Sequence, residues 1–253
     1  YRYEYNTPFI GKNDVRMTPN TFEGYTLQGN FGGKDGAPGF RYGAGYITKI
    51  KERNSDDFVW MSKDAGADVK RGVGVVGGTF TYGKFSLGAI NYYSQDIINI
   101  FYTETKYSFS ITKEFGALLA IQFADQRSTG DDLLKMRSFA GNQLGVKGEA
   151  SYGGAVFTLG YTNTLQREDM QNPWSGYPGY TSVQVQDFNR AKEQAVITKL
   201  SYDFSRLGLE GVTAYALFVH GWGRVDPSTK AGKPDENEFN TDVQWRPKWS
   251  FLN

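Results

Sequence analysis

The sequence predicts an all-β fold, a transmembrane antiparallel β-barrel to which these 253 residues contribute about eleven or twelve strands. Three observations point there. Segment after segment alternates with a period of two between an aromatic or aliphatic face and a face carrying Lys, Glu and Asp. Mean hydropathy is only −0.52, although 17 Tyr and 18 Phe bring aromatics to 16%. A barrel with lipid outside, water inside and aromatic girdles at both interfaces has that composition. Short glycine turns also alternate along the chain with long polar connections.

The first element is Asn13-Asp14-Val15-Arg16-Met17-Thr18-Pro19-Asn20-Thr21-Phe22, an irregular, Pro-bounded stretch. It runs into a strand in which Leu27, Gly29 and Phe31 oppose Gln28 and Asn30. A cation on a folded loop fed into a barrel wall is the pattern of a pore constriction. The segment near 6–22 is therefore expected to fold inward. Around 53–67, cap-like residues precede Phe58, Trp60 and Met61, which predicts a short helix in a loop.

Strands are expected at 84–93 and 117–125, and the alternation is clearest further on. Thr103, Thr105, Tyr107, Phe109 and Ile111 oppose Glu104, Lys106, Ser108 and Ser110. Leu144, Val146, Ala150 and Tyr152 oppose Gln143, Lys147, Glu149 and Ser151. Ala155, Phe157, Leu159 and Tyr161 oppose Val156, Thr158, Thr162 and Thr164. Val196, Thr198, Leu200, Tyr202 and Phe204 oppose Lys199, Ser201 and Asp203. Val243, Trp245, Trp249 and Phe251 oppose Asp242, Gln244, Arg246, Lys248 and Ser250. At 211–222 both faces are apolar and the orientation stays open. Tyr82-Gly83-Lys84 and Tyr152-Gly153-Gly154 suit tight hairpins at one rim. Long extracellular loops are expected near 53–70, 126–141, 166–194 and 223–238.

A soluble sandwich or lipocalin-like barrel would keep an apolar inside and put its charges outside. Here the apolar face is broad and aromatic on strand after strand, which favours lipid as its neighbour. No run approaches the roughly 20 apolar residues of a spanning helix. Tyr1 already lies in strand-like sequence and Trp249-Ser250-Phe251-Leu252-Asn253 ends abruptly, so the chain reads as an internal portion of a longer barrel.

With 28 Lys+Arg against 27 Asp+Glu there is no net basic field for nucleic acid. Absent cysteine excludes disulfides and thiolate metal sites. His220 is the single histidine and sits beside Trp222, with no nucleophile elbow to serve. It reads as a rim or lumen residue. Asp56-Asp57 and Asp131-Asp132 read as turns, and no cofactor, metal or catalytic site is expected. The run Gly72-Val73-Gly74-Val75-Val76-Gly77-Gly78 precedes more strand rather than a helix, so it is not a dinucleotide loop.

Arg16 is the residue with chemistry to offer. A guanidinium in a pore loop stays charged and can take a carboxylate in bidentate fashion. Equally, it can pin its loop to a wall carboxylate. Lys12 and Asp14 flank it and mix the local field. Glu104, Lys106, Lys147, Glu149, Lys199 and Asp203 form the expected lumen lining.

Several stretches carry a resemblance: Asn6-Thr7-Pro8-Phe9 with Asp14-Val15-Arg16-Met17-Thr18-Pro19-Asn20-Thr21-Phe22, then Arg53-Asn54-Ser55-Asp56-Asp57-Phe58. Leu87-Gly88-Ala89-Ile90-Asn91-Tyr92-Tyr93, Gln186-Asp187-Phe188-Asn189 and Ser205-Arg206-Leu207-Gly208-Leu209-Glu210-Gly211 follow in order. Together they resemble the OprD-type outer-membrane porins, also called outer-membrane carboxylate channels. The resemblance implies a barrel of roughly eighteen strands in the bacterial outer membrane, in contact with its lipid. It further implies passive uptake of small, carboxylate-bearing solutes such as amino acids or organic acids. Arg16 would match the family's constriction-loop arginine, and Asp187 an acidic residue on a facing inward loop. Ile98 and Val185 stand where tyrosines are common in the family, a departure that bears on the solute class. A general-diffusion porin and a structural, surface-interaction barrel are the competing functions, and monomer and homotrimer are both open.

Overall fold

The computed structural model describes residues 2–13, 18–33, 36–112, 114–166 and 168–247. Its strands are β1 (Arg2–Tyr3), β2 (Thr21–Gly32), β3 (Gly39–Lys51), β4 (Val59–Trp60), β5 (Val73–Tyr82), β6 (Phe85–Ser94) and β7 (Ile98–Ser110). They continue as β8 (Phe115–Arg127), β9 (Ala140–Tyr152), β10 (Ala155–Thr164), β11 (Gln194–Asp203), β12 (Val212–Trp222) and β13 (Glu236–Trp245). One short helix, α1 (Met61–Asp64), lies in the connection between β4 and β5. Neighbours in sequence are neighbours in space, with β4 folded back on β3 beside the main path. All the pairings are antiparallel, an up-and-down meander that ends at β1 and β13 without closing on itself.

Strand-to-strand register sorts the side chains into two faces. Glu104 stands opposite Gly88 and Gln122, Gln122 opposite Gly145, and Gly145 opposite Thr162. Two residues further along the strands, Lys106, Ala120, Lys147, Gly160, Ile197, Val219 and Glu238 form the next row. The other face carries Tyr25, Leu27, Phe31, Leu119, Ile121, Leu159, Leu200, Phe239, Val243 and Trp245, all exposed. An apolar face of that extent, uncovered by any part of the chain described, needs a lipid or protein neighbour.

The ambiguous strand β12 is now oriented: Leu217 and Val219 are buried on the polar, loop-bearing face, while Phe218 is exposed on the apolar one. The final alternation stops at Trp245, and residues 248–253, with Lys248, Trp249, Ser250 and Phe251, lie outside the described residues.

The two rims differ in their connections. On one rim β5 turns into β6 at Gly83-Lys84, and β9 into β10 at Gly153-Gly154. Gly153 (φ 59°) and Gly154 (φ 91°) both adopt the left-handed conformation that a two-residue hairpin of right-twisted strands requires. On this rim Asp203 also caps the 3-10 turn Phe204–Leu207, its Oδ1 accepting from Ser205 N–H at 2.9 Å. The opposite rim holds the long connections, 4–20, 52–72, 128–139, 165–193 and 223–235.

The helix expected within 53–67 is the single turn α1. Burial pushes the Asp64 carboxyl up to about 7, with Glu52 adding to the effect. Between its ordinary 3.8 and about 7 the folded loop holds a proton that the opened loop releases. This group therefore stabilises the closed loop fully at low pH, and the contribution falls as pH rises through that window. Amide exchange at Ala65 and Ala67, whose N–H groups donate to Met61 O and Ser62 O, is expected to accelerate over it beyond the intrinsic base catalysis. Asp64→Asn should flatten that extra dependence. An unchanged profile in the variant would contradict the assignment.

Candidate functional site

Two connections from the long-loop rim lie against the polar face of the sheet, over its charged side chains. The first is the N-terminal loop. Phe9 and Ile10 are fully buried, with the Phe9 ring 5.9 Å from Tyr92, 6.3 Å from Tyr102 and 6.0 Å from Tyr177. Tyr92 and Tyr102 stand on β6 and β7, so the wall's own aromatics receive the loop. Its return into β2 is fixed by Asn20, whose N–H donates to Lys12 O and whose Nδ2 donates to Gly11 O. Asn20 Oδ1 accepts from Arg53 N–H at 2.8 Å, tying that return to the next long connection.

The second connection, 165–193, is strapped across the wall by polar side chains of successive strands. On β7, Glu104 Oε1 accepts from the Tyr180 hydroxyl at 2.8 Å. On β8, Gln126 exchanges two hydrogen bonds with the backbone of Gln171, at 2.7 and 2.6 Å. The Gln122 amide, oriented by its hydrogen bonds, donates to Pro178 O and accepts from Tyr180 N–H. On β9, Gln143 Oε1 accepts from the Tyr177 hydroxyl at 2.7 Å, and on β10 Thr162 meets Thr181 at 2.6 Å. On β13, both oxygens of Glu238 accept, from Val185 N–H (3.0 Å) and Gln186 N–H (2.8 Å). Buried amides and hydroxyls without partners would cost about 1–3 kcal/mol each, so this ladder specifies where the loop lies.

The two loops also lock to each other. Ile10 forms isolated β-bridges with Trp174 and Ser175, and Gly11 N–H donates to Trp174 O at 3.1 Å. Trp174 is fully buried, and its indole N–H donates to Met61 O at 3.0 Å. A Cβ on Gly176 would stand 2.8 Å from Phe9 C and Pro8 O, so the backbones meet at a distance glycine alone permits.

Of the residues expected at the constriction, Asp14 and Arg16 lie outside the described residues. Lys12 lies on the N-terminal loop, its carbonyl accepting from Asn20 N–H. Asp187 lies on the strapped loop, accepting from Ser182 Oγ at 2.6 Å and Asn172 Nδ2 at 3.0 Å. Both donors belong to its own loop, so it shapes that loop.

The lining residues fall on the loop-bearing face. Lys106 pairs with Glu104 at 2.8 Å and Lys147 with Glu149 at 2.9 Å, each along one strand. Lys147 Nζ also lies 5.1 Å from the Tyr180 ring centroid, and Lys199 Nζ 4.2 Å from that of Tyr215. Three lysines against two glutamates leave this patch one positive charge in excess. Burial, with the adjacent Glu104 carboxylate, raises the Tyr180 hydroxyl far above its ordinary range, so it remains a donor. Asp203 shares the parity of these residues but lies at the short-turn rim as a cap.

The sequence reading did not single out Trp174, Tyr177, Tyr180 or Arg41. The aromatic load of 174–188 was the available signal, being too high for a loop surrounded by water. His220 lies on the apolar face, its Nδ1 2.8 Å from Asn237 Oδ1 and its ring stacked on Trp222. Among the described residues no cluster of His, Asp or Glu could hold a metal ion.

A meander of eleven long strands with a lipid-type outer face and loops folded onto a charged inner face defines a membrane-barrel wall of the porin class. The family model for "outer membrane porin, OprD family" matches residues 2–247, and the chain belongs to that family. Among solved structures, OccK9 (OpdG) of Pseudomonas aeruginosa is similar at TM-score 0.83 and 22% identity, over 96% of this chain and 61% of that one. OccK3 (OpdO) gives 0.80 and 18%, over 96% and 64%. OpdK of the same organism, solved with vanillate, gives 0.79 and 19%, over 96% and 63%. The chain thus spans a little under two-thirds of the length of these three structures. No curated protein sequence matches it.

Proposed function

We propose that the complete protein is a channel for passive diffusion of small solutes across the outer membrane, with carboxylate-bearing solutes favoured. The observation that carries this is the face under the loops. Its lysines and glutamates are paired yet stay partly exposed, with side-chain exposures of 43% for Lys106 and 24% for Lys147. A packed core would have excluded them. Vanillate, found with OpdK, is a carboxylate, and the excess positive charge of the patch suits such a solute. In this scheme Arg16 is the principal cation at the neck, taking the carboxylate by two parallel hydrogen bonds. Lys12 and Asp14 set its local field, and Asp187 faces any cationic end of the solute. Binding stays weak enough for release, and diffusion down a gradient needs no other energy source.

The test is planar-bilayer recording of the complete protein with benzoate as blocker. Arg16→Ala should weaken the block by about tenfold or more, the worth of one charge-assisted contact of roughly 1.5–3 kcal/mol. Block that is unchanged would return Arg16 to a loop-pinning role. Large, solute-indifferent steps would identify a general-diffusion pore, and their complete absence a structural barrel.

A further inference from the structure

We propose a second solute site beside the loop lock: a trough in the wall that takes a small zwitterion, its carboxylate on Arg41 and its ammonium end toward Glu104. Arg41, Thr79, Gly88 and Glu104 are successive register partners across β3, β5, β6 and β7. Three strand spacings separate the two charges at backbone level, about 14 Å, before either side chain reaches inward. Between them the wall offers only Thr79 and Gly88.

At two glycines of that floor, Gly88 and Gly43, side chains are missing where packing would admit them, whereas Gly45 and Gly77 are closely packed. A Cβ on Gly88 would meet nothing nearer than Thr79 Oγ1 at 3.5 Å, and one on Gly43 nothing nearer than Leu27 O at 3.5 Å. Asn6, Thr7 and Pro8 of the N-terminal loop roof the space, leaving a cavity of about 400 Å³ that Arg41 and Glu104 both line. A volume of that order suits a small-molecule site.

The two ends differ chemically. Arg41 forms no ion pair among the described residues, and its guanidinium can take a carboxylate bidentately. Glu104 already accepts from Tyr180 and pairs with Lys106, yet its two oxygens keep lone pairs for a further donor. Both ends recognise a solute that carries both charges, whereas an anion alone meets the Glu104 field. The proposal deepens the channel reading, since solute would arrive from the pore, but binding in the trough does not depend on conduction.

The experiment is ligand-observed NMR titration of the complete protein in detergent micelles, with 6-aminohexanoate as probe and hexanoate as comparator. The zwitterion should bind more tightly than hexanoate. Arg41→Gln should weaken it by about ten- to a hundredfold, the value of a hydrogen bond to a charged group. Gly88→Leu, which fills the floor, should do the same. Arg41→Gln disturbs no packing and guards against misfolding of the leucine variant. Equal binding in wild type and Arg41→Gln overturns the site, as does equal affinity for hexanoate. Binding that depends on Arg41 in a protein without conductance would uphold the site and remove the channel reading instead.

Discussion

Replacing Trp174 with alanine is expected to release the two-loop lock and to give larger, noisier single-channel steps. The indole is fully buried, and the residue joins three long connections. Its backbone bridges Ile10 and Gly11, its N–H holds Met61 O, and its ring lies 6.4 Å from Tyr92 on the wall. Truncating a buried tryptophan costs about 3–5 kcal/mol, from lost transfer energy and the cavity left behind. If that cost falls on local opening of the loops, amide exchange at Gly11 should accelerate by about two to three and a half decades. The wall should be spared, because its ladders do not pass through this residue. Trp174→Phe keeps most of the apolar burial and loses the bond to Met61, so it should sit between the two. Unchanged exchange at Gly11 in the alanine variant would show that the strapping to β7–β10 and β13 holds the loop without the lock.

On the proposed channel reading, reversing two lysines of the loop-bearing face, Lys106→Glu with Lys147→Glu, is expected to turn conduction toward cations. The patch of Glu104, Lys106, Lys147, Glu149 and Lys199 goes from one excess positive charge to three excess negative ones. At about 10 Å from a passing ion, each unit charge is worth roughly 0.4 kcal/mol in water before screening. Screening at 0.1 M salt cuts this to about 0.15 kcal/mol, and because four units act with opposite sign on anion and cation, the permeability ratio shifts by about eightfold. At 0.01 M the shift should grow to about fiftyfold. Reversal potentials across a salt gradient measure this. A shift independent of ionic strength would mean that the lysines act by changing loop position rather than as charges in the water of the lumen.

The wall was legible in the sequence because its two faces meet different neighbours. Where lipid lies on one side and water on the other, a period of two sorts Tyr107 from Lys106 and Val146 from Lys147 without further information. The same rule failed on β12 for a physical reason. Phe188 and Val183 of the strapped loop pack against Leu217 and Val219, so the inward face is apolar there as well. With hydrophobic residues on both faces, no alternation remains to be read.

The loop itself shows in the sequence only as a long polar connection near 166–194, with Asp187 turned inward by family likeness. Its position depends on partners far away in sequence: Glu104 for Tyr180, Gln143 for Tyr177 and Glu238 for Val185 and Gln186. Such pairings leave no local signature. Arg41 carries no sequence signal for a related reason, since it lies between Phe40 and Tyr42 in a glycine-rich strand and stands out only once Thr79, Gly88 and Glu104 align beside it.

The central claim is that this wall and its two inward loops bound a narrow, water-filled passage that favours small anions. Single-channel recording of the complete wild-type protein in planar bilayers tests it most directly. Small, well-resolved, anion-leaning steps that benzoate blocks are the expected result. Silence, or large steps indifferent to benzoate, would contradict it.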